Sequence, residues 1–142
     1  MTQAAIADNP HFLLDETDAN RQPPYSTASL LPLLRQQHPD AQFWLLIGGD
    51  SLRDFASWIE PARVVTQARL GVLPRPWAII DWPTLETAVP TLRAAVDMLD
   101  GPQLRLSSTA LRHWLKNGRS VRYLTPPAVE TYATHHDLYT SD

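Results

Sequence analysis

Hydroxyl and guanidinium side chains cluster where a helix is predicted to begin in the last third of the chain. Ser107, Ser108 and Thr109 precede an amphipathic segment, and Arg112 follows about one helical turn later. The first turn of a helix has unpaired backbone N–H groups and the positive end of the helix dipole, so it binds anions. Three hydroxyls and a guanidinium at such a turn suit a polyphosphate. The alternative is a capped amphipathic helix with a solvated arginine, which composition alone favours because such caps are common.

A second candidate site follows the apolar residues 43–47. Their lack of polar alternation predicts a strand that is buried on both faces of a parallel sheet. Gly48 and Gly49 allow a sharp turn and a close approach to a ligand. Asp50 then places a carboxylate at the carboxyl end of the strand, where open α/β sheets bind ligands. The alternative is that Asp50 only caps a helix over residues 51–55.

Two aromatic residues extend this second site. Trp58 lies eight residues after Asp50, in a predicted loop where its ring could stack on a flat ligand, although a core tryptophan is the commoner outcome. Tyr25 and Ser26 follow two prolines, in a stiff turn whose backbone could bind the polar edge of a small ring. An ordinary helix start explains these two residues equally well.

The elements that must position these residues alternate between strand and helix, which predicts an α/β fold with a mainly parallel sheet. Strands are predicted at residues 11–15, 43–47, 69–73 and 104–106. Helices are predicted at residues 2–7, from about 27 or 30 to 37, at 85–99 with a break at Pro90, from 107–109 to about 116, and after Pro126, and residues 52–58 are predicted to form a short helix or a turn. The predicted N-caps of three of them are Ser29, Thr84 and Thr125.

Composition limits the class of protein. The 142 residues suffice for one domain with a hydrophobic core, and 44% hydrophobic with 19% charged residues is typical of a globular protein. A net charge of −3 argues against nucleic acid as a partner. No apolar run approaches the length of roughly 18 residues that a membrane span needs. The absence of cysteine excludes disulfides and thiolate chemistry and fits a cytoplasmic protein.

The order of these motifs resembles the bacterial nicotinate-nucleotide adenylyltransferase family, in the nucleotidyltransferase superfamily. Residues 47–50 (Ile-Gly-Gly-Asp) are similar to the family's Ile-Gly-x-Asp, and residues 23–26 (Pro-Pro-Tyr-Ser) to its Pro-Ser-Tyr-Thr. Residues 106–112 (Leu-Ser-Ser-Thr-Ala-Leu-Arg) resemble its Ile-Ser-Ser-Thr-x-Ile-Arg, and Arg75-Pro76 resembles an Arg-Pro pair that follows the family's next strand. The resemblance runs from Thr2 to about Tyr132 and implies a Rossmann-like fold.

The resemblance also implies an activity, the transfer of AMP from ATP to nicotinate mononucleotide, with Mg²⁺ bridging the ATP phosphates and with no covalent enzyme intermediate. Both nucleotides are expected partners, and a homo-oligomer is a further expectation. By resemblance, the ATP phosphates would be held by Ser107, Thr109 and Arg112. The mononucleotide would be held by Tyr25, Ser26, Gly48, Asp50 and Trp58. No residue of the chain takes a catalytic role or a metal-binding role from the resemblance.

One family motif has no match in this sequence. The family opens with Gly-x-Phe-Asp-Pro-x-His-x-Gly-His, whose histidines meet the ATP phosphates, whereas residues 1–10 resemble the end of an internal family helix. The sequence therefore predicts an incomplete nucleotidyltransferase domain over residues 1–134, with the first strand and loop missing, and a polar tail over residues 135–142. We expect little activity from this chain alone, and the alternative to an enzyme is a non-catalytic remnant that at most binds a mononucleotide.

Overall fold

The structure is a computed structural model that describes residues 1–102 and 106–139. The chain divides into two compact units, Glu16–Gln103 and the combination of Met1–Asp15 with Leu104–Asp142. Most of the strand predicted at 104–106 lies outside the described residues. The described helices, in chain order, are α1 (Thr2–Ile6), α2 (Thr17–Asn20), α3 (Thr27–Gln37), α4 (Gly49–Arg53), α5 (Pro61–Gln67), α6 (Trp82–Ala88), α7 (Leu92–Ala95), α8 (Ser108–Lys116) and α9 (Pro127–His135).

A parallel sheet forms the centre of the first unit. Its strands are β1 (Trp44–Gly48), β2 (Arg69–Leu73) and β3 (Val96–Met98), in the order β1-β2-β3. Gly48 pairs with Leu73, so β1 and β2 end level with each other. This arrangement confirms the predicted α/β class, and β2 has the predicted bounds.

The core of this unit covers one face of the sheet. Leu70 and Val72 of β2 are fully buried on that face. Other fully or almost fully buried apolar side chains of the same core come from the helices and their connections, namely Leu52, Phe55, Val64, Leu85, Val89 and Leu92. Pro90 lies between α6 and α7 and separates them. Each helix still contributes a buried apolar side chain to this core, Leu85 from α6 and Leu92 from α7.

The prediction that β1 is buried on both faces is wrong. Leu45 and Ile47 pack against the core, whereas Trp44 and Leu46 point to the other face and are 46% and 69% exposed. Side chains alternate across a strand, so a continuous apolar run shows only that neither face is strongly polar. β1 also lies at an edge of the described sheet.

Two further sequence predictions differ from the structure. Residues 11–15 form no strand, and Phe12 and Leu13 are largely exposed. The helix predicted to reach residue 99 ends at Ala95, because Val96 continues into β3 and pairs with Leu70. The short helices α2 and α5 were not predicted from the sequence.

The helix caps show why local patterns were ambiguous. Ser26, not Ser29, caps α3, and Asp81, not Thr84, accepts the N–H bond that caps α6. In both helices the predicted residue occupies the third helical position and contributes its backbone N–H to the actual cap. Thr125 does not cap α9, which begins behind Pro126 without a side-chain cap.

The second unit contains α1, α8 and α9. Gly118, at φ +68°, ends the turn after α8, as the Asn-Gly pair predicted. Helices α1 and α9 pack against each other. After α9 the chain turns back, and the Leu138 N–H donates to the Ala133 carbonyl at 2.9 Å.

A charged cluster ties the three strands together on the exposed face of the sheet. Arg69 donates two hydrogen bonds of 2.6 Å to the carboxylate of Asp97, and the Trp44 Nε1–H donates to the same carboxylate at 2.8 Å. The Arg69 guanidinium, with help from the indole, lowers the pKa of Asp97 to about 2. One residue from each strand thus contributes to the cluster.

This cluster predicts a pH dependence of stability. An unfolded aspartate has a pKa of about 3.9, so the stabilisation by Asp97 is fully present above that pH and is lost as the pH falls towards 2. Urea unfolding from pH 6 to pH 2 should therefore show the difference in free energy of unfolding between wild type and Asp97→Asn shrinking as the pH falls. The control Asp40→Asn, at an exposed position, should keep the wild-type pH dependence. A difference that stays constant down to pH 2 would contradict the assignment.

Candidate functional site

The carboxyl ends of β1 and β2 bring Asp50 and Arg75 together. Asp50 lies two residues after Gly48, and Arg75 lies two residues after Leu73, the strand partner of Gly48. Because parallel strands of equal register end at the same edge, the two side chains meet there, with Asp50 Oδ1 3.7 Å from Arg75 Nε. Both side chains remain more than one-third exposed. This edge presents a carboxylate and a guanidinium that a ligand could reach.

The two glycines leave room for this close approach. A Cβ at Gly48 would collide with Asp50 Oδ1 and lie 3.3 Å from Arg75 Nε. A Cβ at Gly49 would lie 3.1 Å from the Arg75 backbone nitrogen. The glycines therefore admit the protein's own side chains and its neighbouring loop at this edge.

The alternative role of Asp50, as the cap of the following helix, is wrong. Gly48 is the N-cap of α4, and Asp50 occupies its second position with no side-chain cap bond. A carboxylate in the first turn still interacts favourably with the helix dipole. Its oxygens remain free of backbone capping and face Arg75.

Arg75 is the site residue that the sequence pattern alone did not single out. Its Cζ also lies 5.6 Å from the centroid of the Trp77 ring, which is more than half exposed. One feature of the sequence could have indicated Arg75: two strands of equal length are each followed, two residues later, by a charged side chain. That signal becomes useful only when the register of the strands is known.

Trp58 is neither a fully buried core residue nor a free aromatic platform. It follows a 3₁₀ turn, Phe55–Ser57, and its ring lies 5.0 Å from that of Phe55 at an angle of 46°. It packs against the edge of the core and stays partly exposed. One part of the indole is therefore anchored while another part remains accessible.

Tyr25 and Ser26 lie in a turn that enters α3. The Ser26 Oγ accepts from the Ser29 N–H, and the Ser29 Oγ accepts from the Ser26 N–H, both at 3.2 Å, which forms a reciprocal capping box. The Tyr25 ring is 65% exposed and has the Arg21 guanidinium 5.3 Å from its centroid. In the described residues no hydrogen bond, ion pair or ring contact links Tyr25 or Ser26 to Asp50 or Trp58.

The second unit contains the hydroxyl and guanidinium cluster. Ser107 caps α8, because its Oγ accepts from the Ala110 N–H at 3.1 Å. Thr109 and Arg112 are exposed, and Arg112 forms no hydrogen bond or ion pair with any residue that the structure describes. Ser108 and Arg112 border a largely apolar cavity of about 340 Å³ between α8 and α9. The helix start, the hydroxyls and the unpaired guanidinium are thus available to an anion.

The site residues predicted from the sequence fall into two groups. Tyr25, Ser26, Gly48, Asp50 and Trp58 belong to the first unit, and Ser107, Thr109 and Arg112 belong to the second. Over residues 1–102 and 106–139, no three His, Asp or Glu side chains come together in a way that could hold a metal ion. No helix among the described residues is long and apolar enough to cross a membrane.

Comparison with known proteins identifies the family. Residues 1–114 match the cytidylyltransferase-like family model. A probable nicotinate-nucleotide adenylyltransferase of Roseiflexus sp. is 40% identical over 98% of this chain and 69% of its own length. The chain belongs to the nicotinate-nucleotide adenylyltransferase family. A second relative of the same name, from Thermomicrobium roseum, is 37% identical over 98% of this chain and 65% of its own length, so the chain spans about two-thirds of these relatives.

Solved structures of this family share the fold. The Plasmodium falciparum nicotinic acid mononucleotide adenylyltransferase complexed with APC has a TM-score of 0.66 at 22% identity, covering 94% of this chain and 70% of that one. The same enzyme complexed with NaAD has a TM-score of 0.67. These likenesses confirm the Rossmann-like nucleotidyltransferase fold.

The Ser107 cap predicts a measurable effect on stability. Ser107→Ala should lower the free energy of unfolding by about 1 kcal/mol, since it leaves a first-turn N–H of α8 without its side-chain acceptor. Ser108→Ala is the matched control, because Ser108 occupies the first helical position and makes no cap bond. It should change stability by less than about 0.5 kcal/mol. Equal losses in urea denaturation would contradict the cap.

Proposed function

We propose that this protein is a nicotinate-nucleotide adenylyltransferase, which transfers AMP from ATP to nicotinate mononucleotide and releases pyrophosphate in NAD biosynthesis. The observation that carries the proposal is Arg112, which lies one turn after the start of α8, is exposed, and forms no hydrogen bond or ion pair within residues 1–102 and 106–139. The names of the relatives and the Asp50–Arg75 edge of the sheet support it. The absence of cysteine fits a cytoplasmic location, which we also propose.

The reaction is a phosphoryl-type displacement. An oxygen of the mononucleotide phosphate attacks the α-phosphorus of ATP, the new P–O bond forms, and the bond from the α-phosphorus to the bridging oxygen breaks. The electron pair of that bond leaves with pyrophosphate, and the product is nicotinate adenine dinucleotide. Such chemistry depends on positioning and on stabilising negative charge, so it needs no protein nucleophile.

The ATP phosphates would be held at the start of α8. Arg112 supplies a positive charge and planar donors that suit phosphate oxygens. A hydroxyl both donates and accepts, so Ser107 can keep its cap bond to Ala110 and still donate to a phosphate oxygen. Thr109 adds a second exposed hydroxyl. We propose that Mg²⁺ would enter as part of the MgATP substrate and would neutralise part of the phosphate charge.

Nicotinate mononucleotide would be held by the first unit. The accessible part of Trp58 offers a face for stacking on the nicotinate ring, and its anchorage on Phe55 reduces the entropy lost on binding. Tyr25 and Ser26 would contact the polar edge of the ring. Asp50 accepts hydrogen bonds and would repel a phosphate, so it suits ribose hydroxyls beside Gly48.

The test combines ligand binding with product formation. We expect nicotinate mononucleotide to quench tryptophan fluorescence saturably in the purified chain, and Trp58→Phe to lose most of that quenching. Trp44→Phe is the control, because its indole is exposed in the same unit but belongs to the first residue of β1, at the opposite end of the strand from Gly48 and Asp50. Equal quenching in wild type and Trp58→Phe would contradict the stacking role.

Turnover distinguishes the two hypotheses for this chain. With ATP, Mg²⁺ and nicotinate mononucleotide, we expect nicotinate adenine dinucleotide to form far below the usual enzyme range of about 1–10³ s⁻¹, because the sequence contains no counterpart of the family's histidine motif. Mononucleotide binding without any product would favour the mononucleotide-binding remnant. A rate in the usual range would contradict our expectation of weak activity, and failure of the chain to bind nicotinate mononucleotide would overturn the proposed function.

Arg112 predicts a selective loss on the ATP side. Arg112→Gln should weaken binding of MgATP by about 10-fold or more, the value of one or two hydrogen bonds to a charged group, and leave the affinity for nicotinate mononucleotide unchanged. Arg119→Gln is the control, since Arg119 is an exposed arginine beyond the end of α8. Isothermal titration with each nucleotide measures both effects. Equal losses in the two variants would point to general electrostatic attraction rather than a specific site.

A further inference from the structure

We propose that Arg21 is the positioning residue of the mononucleotide site, which fixes the turn of residues 24–29 that carries Tyr25 and Ser26. The functional consequence rests on the proposed function, whereas the positioning itself rests on contacts within the first unit. Arg21 was not among the residues indicated by the sequence. Its guanidinium-bearing side chain is only 8% exposed, although it lies in a surface segment.

The Arg21 guanidinium donates to several points of the turn at once. Nη1 donates to the Pro24 carbonyl at 2.5 Å and to the Ser29 Oγ at 2.8 Å, and Nη2 donates to the Ser26 carbonyl at 3.3 Å. These acceptors flank Tyr25 on both sides. The backbone of the proposed ring-binding segment is therefore hydrogen-bonded on both sides of Tyr25 to one planar guanidinium group.

The other edge of the guanidinium is neutralised by Asp18. Nε donates to Asp18 Oδ1 at 2.7 Å, and Nη2 lies 2.6 Å from the same oxygen. All three guanidinium nitrogens are thus occupied by protein acceptors, so Arg21 has little capacity left to bind a ligand itself. This saturation distinguishes it from Arg112 and assigns it a role in positioning.

The short helix α2 supplies that carboxylate. Asp18 lies in its first turn, and the Thr17 Oγ1 donates to the Gln37 Oε1 at 3.1 Å, which attaches α2 to the far end of α3. The same Ser29 hydroxyl that accepts from Arg21 donates to the Pro24 carbonyl at 2.7 Å and closes the capping box with Ser26. Arg21, Ser29 and the turn therefore form one connected network, in which each acceptor is shared.

Lysine cannot replace this arrangement. Its three donors radiate from one atom, whereas the contacts of Arg21 require donors along three edges of a plane. Arg21→Lys keeps the positive charge beside Asp18 and Tyr25 and removes the planar geometry. The variant thus separates charge from positioning.

The first measurement is amide hydrogen exchange in residues 25–30, which needs no ligand. Arg21→Lys should raise the exchange rates of the Ser26 and Ser29 amides about 10-fold or more, the value of a lost hydrogen bond to a charged group, while amides of β2 keep wild-type protection. Ser29→Ala, which removes one shared acceptor, should raise the same rates. Arg63→Lys is the control, because Arg63 forms an exposed ion pair with Glu60 at 3.1 Å, outside the turn of residues 24–29. Unchanged exchange in both Arg21→Lys and Ser29→Ala would overturn the proposal.

The second measurement tests the consequence for binding. We expect Arg21→Lys to weaken the affinity for nicotinate mononucleotide about 10-fold and to leave the affinity for MgATP unchanged. General destabilisation of the protein would instead weaken the binding of both nucleotides. Faster amide exchange with unchanged mononucleotide affinity would overturn the role of Arg21 in the site. If wild type itself does not bind nicotinate mononucleotide, the proposed function fails, and amide exchange still decides whether Arg21 fixes the turn.

Discussion

The level ending of two parallel strands is the constraint on which the rest of the first unit depends. Because Gly48 lies opposite Leu73, the residues that follow β1 and β2 emerge at one edge of the sheet. Backbone hydrogen bonding thus fixes where Asp50 and Arg75 can meet, before any ligand is considered. The side chains on the covered face, Leu70 and Val72 foremost, hold that register by burial in the core.

Three arginines illustrate how surroundings decide the role of one residue type. Arg21 is surrounded by protein acceptors and is nearly inaccessible, so it organises structure. Arg112 is exposed and unpaired among the described residues, so it is available to phosphate. Arg75 lies between these extremes, with a loose 3.7 Å contact to Asp50 that a bound nucleotide could displace. Exposure and the number of satisfied donors separate a guanidinium that the protein holds in place from one that remains accessible.

The parts of the fold that the sequence predicted are those that depend on local signals. The apolar run of β2, the hydroxyl cap of α8 and the left-handed Gly118 each follow from residues within one turn or strand. The exposure of Leu46, the strand Val96–Met98 and the Asp50–Arg75 contact depend on which segments become neighbours. Arg21 is the clearest case, since its acceptors lie up to eight residues away and act only after the turn has formed.

The glycine at the end of β1 has a consequence for how such a protein can change over time. A side chain at position 48 would occupy the space in which Asp50 Oδ1 and Arg75 Nε approach each other. A residue with a Cβ at position 48 therefore requires the Asp50 carboxylate to move, so the residue type at position 48 and the place of that carboxylate are linked.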